Sequence, residues 1–146
     1  MSVLCWNCRG AGKPAAVREL REFVMKFAPT LFCIVETQIE GSRVENLAGT
    51  LGYDKAFAVD SRGRSGGLGL FWNNEIKVEI LGYSPYHIDC SIVEENLNPW
   101  RMTLVYGEAQ THLRHQTWDT LKGISNLRDD PWLCIGDFNK VLRPEE

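Results

Sequence analysis

The sequence contains no apolar run near the roughly 18 residues that a membrane span requires. Its N-terminus, Met1-Ser2-Val3-Leu4-Cys5-Trp6-Asn7, has neither a basic segment nor a long apolar one, and no Asn-x-Ser/Thr sequon occurs. The expectation is an intracellular protein of the nucleus or cytoplasm, not secreted. Charge of one sign is also scarce. Sixteen Lys and Arg against 19 Asp and Glu leave a net charge of −3, so no global cationic field draws the chain to a membrane or makes it a nucleic-acid coat. That balance does not exclude a nuclease, because a bound divalent cation can draw phosphate to a carboxylate-lined site. Prolines number only six among 146 residues, 44% of which are hydrophobic, which excludes a disordered tail or a low-complexity linker. The five cysteines are an odd set lying mostly in apolar runs, better read as buried free thiols than as a disulfide framework.

What is there is one domain's length of patterned chain, with no internal repeat and no linker. Val3 to Trp6 is a short apolar strand ending at Asn7 and followed by the turn formers Gly10, Gly12 and Pro14. From Ala15 to Phe27 the period changes, and Val17, Leu20, Val24 and Phe27 line one face of an amphipathic helix. Leu31 to Val35 is a second buried strand that delivers Glu36. Ser42-Arg43-Val44-Glu45 fits a capping box opening a short helix that Gly52 ends. Strands follow at Tyr53 to Val59, Leu68 to Trp72 and Ile76 to Leu81, with Asn73-Asn74 reading as a hairpin turn between the last two. A second hairpin joins His87–Glu94 to Arg101–Tyr106. A helix spans about Leu113 to Leu127, turning Trp118, Leu121 and Ile124 to the core, and a last strand runs from Trp132 to Ile135. The order β-α-β-α, then strands, then α-β predicts an α/β fold with a packed two-sheet core and helices outside.

Asn7, Glu36, and Asp137 with Asn139 each stand at the C-terminal end of an apolar strand, and Tyr106-Gly107 ends a fourth. Ends of neighbouring strands in one sheet converge, so a single mixed sheet would bring these residues to one rim. Oxygen donors of the carboxylate and amide type suit Mg²⁺, which takes one or two carboxylates and keeps several waters. Each residue alone has a plainer reading: Glu36 as a solvated loop residue, Asn7 and Gly136-Asp137 as turns. Their recurrence at equivalent positions weakens the plainer reading for the set, and pattern alone leaves the two readings balanced.

Trp6-Asn7-Cys8-Arg9-Gly10, Glu36-Thr37-Gln38, Gly63-Arg64-Ser65-Gly66-Gly67-Leu68, Tyr106-Gly107 and Gly136-Asp137-Phe138-Asn139 occur in an order that resembles the endonuclease/exonuclease/phosphatase superfamily. The sequence looks most similar to the apurinic-type endonuclease domain of plant non-LTR (LINE-type) retrotransposons. The resemblance implies a four-layer α/β sandwich and Mg²⁺-dependent (or Mn²⁺-dependent) cleavage of phosphodiester or phosphomonoester bonds, with DNA as substrate class. By resemblance, Glu36 ligates the metal and Asn7 supports the metal shell and positions the catalytic Asp. Asp137 orients or deprotonates the attacking water, Asn139 binds the scissile phosphate and Tyr106 stabilises charge on it.

Two departures stand out. Several relatives have a carboxylate two residues after the N-terminal Asn, where this chain has Arg9, which can bind phosphate but not metal. The family also continues with further strands, another Asp and a closing Ser-Asp-His motif, and none of His87, His112 and His115 sits in such a context. The resemblance therefore implies the N-terminal part of the domain, incomplete at its C-terminus over 1–146 and weak in activity. Loss of the partner sheet would then leave an exposed sheet face and an open edge, inviting self-association. The alternatives are an inactive remnant that binds nucleic acid or protein, or a phosphatase of a small substrate. Arg62 and Arg64, in a flexible cationic loop, and Arg9 are candidate nucleic-acid contacts, with a solvated loop as the plainer reading. Cys5-x-x-Cys8 lacks the second pair that zinc needs.

Overall fold

Residues 1–107 and 115–139 are described in this computed structural model. β1 (Val3–Asn7), α1 (Pro14–Phe27) and β2 (Leu31–Val35) form a first β-α-β unit, with β1 and β2 parallel from Val3↔Leu31 to Asn7↔Val35. Pro14 opens α1 at its first turn, where a missing N–H costs nothing. Ala28, in the left-handed region at φ 41°, closes it by donating to Val24 O at 2.8 Å, just before Pro29. Two short helices, α2 (Gly41–Glu45) and α3 (Leu47–Leu51), lead to β3 (Lys55–Val59) and β4 (Leu68–Trp72). The second half runs β5 (Ile76–Ser84), β6 (His87–Glu94), β7 (Trp100–Tyr106), α4 (His115–Ser125) and β8 (Trp132–Asp137).

The strands form two sheets, ordered β1-β2-β4-β3 and β5-β6-β7-β8. Strand alternation explains how they pack. Leu31, Cys33 and Val35 of β2 and Leu68, Leu70 and Trp72 of β4 meet Ile88, Cys90 and Ile92 of β6 and Met102 and Leu104 of β7 in one core between the sheets. The intervening Phe32, Ile34 and Phe71 face the other way, onto Leu20 of α1, Val44 of α2 and Leu51 of α3. β2 is thus buried on both faces, which is why it reads as an unbroken apolar run.

On the far face of the second sheet, buried Arg101 holds α4. It donates to both oxygens of Asp89 at 2.8 Å and to the Ile124 carbonyl, in the last turn of α4, at 2.9 Å. Thr103 donates to Asp89 Oδ1 (2.9 Å), and the Trp132 indole donates to Thr103 (2.8 Å), so the ion pair is satisfied throughout. The result is a four-layer α/β/β/α sandwich, as expected.

Several sequence-based expectations need correction. The strands ending at the candidate residues do not share one mixed sheet: β1 and β2 belong to the first, β7 and β8 to the second. A second sheet is present and covers the inner face of the first, so that face is not exposed. Asn73-Asn74 is not a hairpin. β4 already has β2 and β3 on its two flanks, so the chain after it crosses to the other sheet. The capping box does not form. Ser42 lies inside α2, and the Gly41 N–H that starts the helix, on a buried residue, is met instead by Asp60 Oδ1 at 2.6 Å, from the loop after β3. Phe27 is exposed rather than in the core, stacked on Phe23, which packs in turn on Trp6. The expected helix start at Leu113 and the reading of His112 lie outside the described residues.

Candidate active site

Asn7 and Asp137 end strands of different sheets, and their inward parity brings them face to face across the rim. Asn7 Nδ2 donates to Asp137 Oδ2 at 3.0 Å. Each side chain also folds back on its own backbone. Asn7 Oδ1 accepts the Arg9 N–H at 3.1 Å and Asp137 Oδ1 the Asn139 N–H at 2.9 Å. These Asx-type turns hold Arg9 at φ 48° and Asn139 at φ 50°. Asn139 Nδ2 reaches the Gly107 carbonyl at 2.7 Å, while Gly107 N–H donates to Asp137 O at 2.6 Å. Tyr106 and Asp137 are direct neighbours in the parallel β7–β8 register, so the phenol-bearing residue and the carboxylate end their strands side by side.

The glycines of these motifs have a steric reason. A Cβ on Gly136 would overlap the Val105 carbonyl, and one on Gly107 would overlap the Phe138 backbone. Gly67, at φ 95°, lies against Thr37 Oγ1, with no room for a side chain.

Glu36 is placed by a second set of interlocked loops. Gly10 N–H and Ala11 N–H donate to the carbonyls of Glu36 and Thr37, each at 2.8 Å. Thr37 and Gln38 N–H donate to Gly67 and Gly66 carbonyls at 3.2 and 2.9 Å. The sheet is thereby prolonged beyond its strands by three loops, with Glu36 and Gln38 both at φ 60°. Gln38 Nε2 donates to Glu36 Oε1 at 3.3 Å, an orienting contact. Gln38 stands in the Glu36-Thr37-Gln38 motif, but its role follows from the loop's φ values and not from the i, i+2 spacing.

The structure therefore brings together Asn7, Asp137, Asn139 and Tyr106, with Glu36 on the loop after β2, next to β1. Asn7, Asp137 and Asn139 line an open cleft of about 510 Å³ with Cys5, Val35 and Ile135. Arg9 lies apart, in a groove shared with Lys13 and Gln38. Arg62 lies against Tyr86, a turn residue with no sequence motif around it, and Arg64 is exposed on the same loop. Burial pushes the Cys5 thiol up to about 12 and Cys8 to about 11, so neither supplies a thiolate. Cys5 packs into the core between the sheets and Cys8 against the helix-side core.

Among the described residues there is no group of three or more His, Cys, Asp or Glu arranged to hold a metal. What the rim offers is oxygen only: the Glu36 carboxylate, the Asn7 amide oxygen and the Asp137 carboxylate. The Glu36 Oε2 has no hydrogen-bond partner among the described residues, and Asp137 keeps lone pairs on both oxygens. Such a set fits a hard, largely hydrated divalent ion and not a zinc-type site.

A family model described as the endonuclease/exonuclease/phosphatase family matches residues 4–145. Among solved structures, the fold is similar to the endonuclease domain of TRAS1, a telomere-specific non-LTR retrotransposon (14% identity, TM-score 0.71, 96% of this chain and 61% of that one). It is also similar to an AP endonuclease from Archaeoglobus fulgidus (15%, TM-score 0.73, 99% and 59%) and to D. rerio TDP2 complexed with a single-strand DNA product (16%, TM-score 0.69, 97% and 61%). The chain spans about three fifths of the length of each. No curated protein matches. No helix among the described residues is long and apolar enough to cross a membrane.

Proposed function

The chain belongs to the endonuclease/exonuclease/phosphatase family, and from that premise we propose that it is the N-terminal part of a divalent-metal-dependent DNA endonuclease of retrotransposon origin. The observation that carries this reading is the Asn7–Asp137 hydrogen bond, which joins the two sheets at the rim where Tyr106 and Asn139 also stand. In the proposed reaction, water attacks phosphorus in line with the leaving oxygen. A P–O bond forms to the water and the P–O bond to the leaving group breaks, giving a phosphomonoester and an alcohol. Asp137 accepts the water's proton or orients its lone pair, with the Asn7 amide fixing the carboxylate. The second hydrogens of the Asn7 and Asn139 amides and the Tyr106 phenol are donors for the phosphoryl oxygens, where charge accumulates. Glu36, with Asn7, would hold Mg²⁺ or Mn²⁺, which when bound withdraws charge from a phosphoryl oxygen.

DNA is the proposed substrate, in line with the DNA product held by the similar TDP2 structure. Self-association through β1 and β8, each with one flank unpaired among the described residues, is proposed alongside. A second reading, a binding module without turnover, is favoured by the histidines. His87, which opens β6 and is tied to Ser84 of β5, faces α4 with Val105, and His115 is exposed on α4, so neither described histidine lines the Asn7–Asp137 cleft. The test is relaxation of supercoiled plasmid by wild type, Glu36→Ala and Asp137→Ala with Mg²⁺. Slow nicking by wild type, abolished in both variants, is expected. Equal nicking by all three would remove the assigned roles, and no nicking with intact DNA binding would favour the second reading.

A further inference from the structure

Two turns from different sheets meet beside Tyr106. In the loop between β3 and β4, Arg62 and Ser65 exchange backbone hydrogen bonds of 2.8 and 3.1 Å, closing a tight turn on which Arg62 and Arg64 are both exposed. In the turn between β5 and β6, Ser84 Oγ accepts the Tyr86 N–H at 3.1 Å, and the Tyr86 carbonyl accepts the Tyr106 N–H at 2.9 Å. Tyr86 is thereby fixed to the end of β7. The Arg62 guanidinium lies over the Tyr86 ring, 4.8 Å from Cζ to the centroid, and donates to its phenol oxygen. Arg62, Gly66, Gly67, Tyr86 and Tyr106 wall a cavity of about 70 Å³. Asp60 also lines it, but its Oδ1 is engaged by the Gly41 N–H. No carboxylate among the described residues lies within ion-pair distance of Arg62.

We propose that Arg62 and Tyr86 form a backbone subsite that holds a second phosphodiester of the strand cleaved at Tyr106 and Asp137. The ligand class is then a polynucleotide with at least two linkages, not a phosphomonoester. The proposal rests on the endonuclease reading above and adds to it the residues that hold the strand beyond the reacting phosphate. A guanidinium is a planar fork that matches phosphate with two hydrogen bonds, and here a closed turn and an aromatic ring hold it before any ligand arrives. Pre-ordering reduces the entropy lost on binding. The ring and guanidinium also offer a flat surface on which a base or sugar stacks without regard to sequence. On a chain of net charge −3, affinity for a polyanion has to come from such local cations.

The test is binding of a labelled single-stranded oligonucleotide to the full chain in EDTA, where cleavage does not run, followed as a function of salt. Loss of one phosphate contact should lower the magnitude of the slope of log Kobs against log salt by about 0.7 in Arg62→Ala. Arg62→Lys should keep the slope and lose several-fold in affinity, because a point charge lacks the fork. Tyr86→Ala should weaken binding about five-fold or more with the slope little changed, since base–aromatic stacking accounts for about 1–3 kcal/mol. A slope and affinity for Arg62→Ala equal to wild type would overturn the subsite, as would absence of oligonucleotide binding by wild type. Hydrolysis of bis(p-nitrophenyl) phosphate with Mg²⁺, compared between wild type and Asp137→Ala, reports the reaction site alone. A slope that falls in Arg62→Ala while that hydrolysis is missing would leave the subsite standing and remove the reaction reading.

Discussion

At the scale of single residues, the sharpest expectation concerns His87. Its Nδ1 lies 2.5 Å from Ser84 Oγ, the same hydroxyl that accepts the Tyr86 N–H. Burial lowers its pKa below the ordinary 6.5, with Asp89 opposing and Arg101 reinforcing the shift. The residues that line the cavity beside it from α4, among them Gln116, Thr117 and Thr120, are uncharged. The folded state therefore favours neutral His87, while the unfolded chain takes up a proton near pH 6.5. This group's contribution to stability is present above that value and is lost as pH falls through the lower folded pKa. The urea midpoint of wild type should drop more between pH 7.5 and 5.5 than that of His87→Gln. Equal drops would show that His87 is not a source of the acid sensitivity. The residue scale is also where the sequence was most and least informative. Asn7, Tyr106, Asp137 and Asn139 were legible because each ends an apolar run. The roles of Gln38, visible only as a letter of the Glu36-Thr37-Gln38 motif, and of Tyr86 were not, because a loop glutamine and a turn tyrosine have no period, and their roles depend on backbone angles and on a turn from the other sheet. The motif glycines were visible as letters, but the carbonyls that exclude a Cβ come from strands 31 residues away in the case of Gly136 and Val105.

At the scale of elements, local signals did well wherever both termini of an element carried them. α1, with Pro14 inside its start and Pro29 beyond its end, and the β6–β7 pair, with alternation on both sides of its loop, formed as the pattern predicts. They failed where the deciding partner is remote. Whether Asn73-Asn74 makes a hairpin depends on β4 having a free flank, and β3 has taken it. The start of α2 shows the same thing in energetic form. Ser42 has the right letter for a cap, yet the group that meets the Gly41 N–H is Asp60, 19 residues on, at 2.6 Å. Asp60→Ala should therefore cost about 1 kcal/mol, within the range of about 0.5–2 for a lost cap. Ser42→Ala, an exposed change inside the helix, should stay within about 0.5 kcal/mol. Urea unfolding of the two variants side by side decides between the local and the remote cap, and a larger loss in Ser42→Ala would restore the capping box.

At the scale of the whole molecule, the two sheets give each other cover, but their edges remain. Among the described residues β1 and β3 bound one sheet and β5 and β8 the other, and β1 and β8 approach each other on the side where Asn7 meets Asp137. That side is apolar as well as open. Trp6 on β1 is 38% exposed and Leu133 on β8 is 41% exposed. A groove of about 530 Å³ runs between α4 and β8, walled by Trp118, Leu121, Trp132 and Phe138. Strand edges with unpaired N–H and C=O groups template pairing unless a charge or a proline blunts them, and β8, Trp-Leu-Cys-Ile-Gly-Asp, has no charge before its last residue. A net charge of only −3 adds little repulsion between copies. The purified chain should accordingly self-associate, with a weight-average mass that rises with concentration in sedimentation equilibrium. Leu133→Lys, which sets a charge at the open edge on the side of β8 turned toward the first sheet, where the residue is 41% exposed, should move the distribution toward monomer with the thermal midpoint held within a few degrees. A wild-type mass independent of concentration at the monomer value would show that the β1–β8 side is protected by something other than a partner. Association unaffected by Leu133→Lys would move the contact away from β8 to another face.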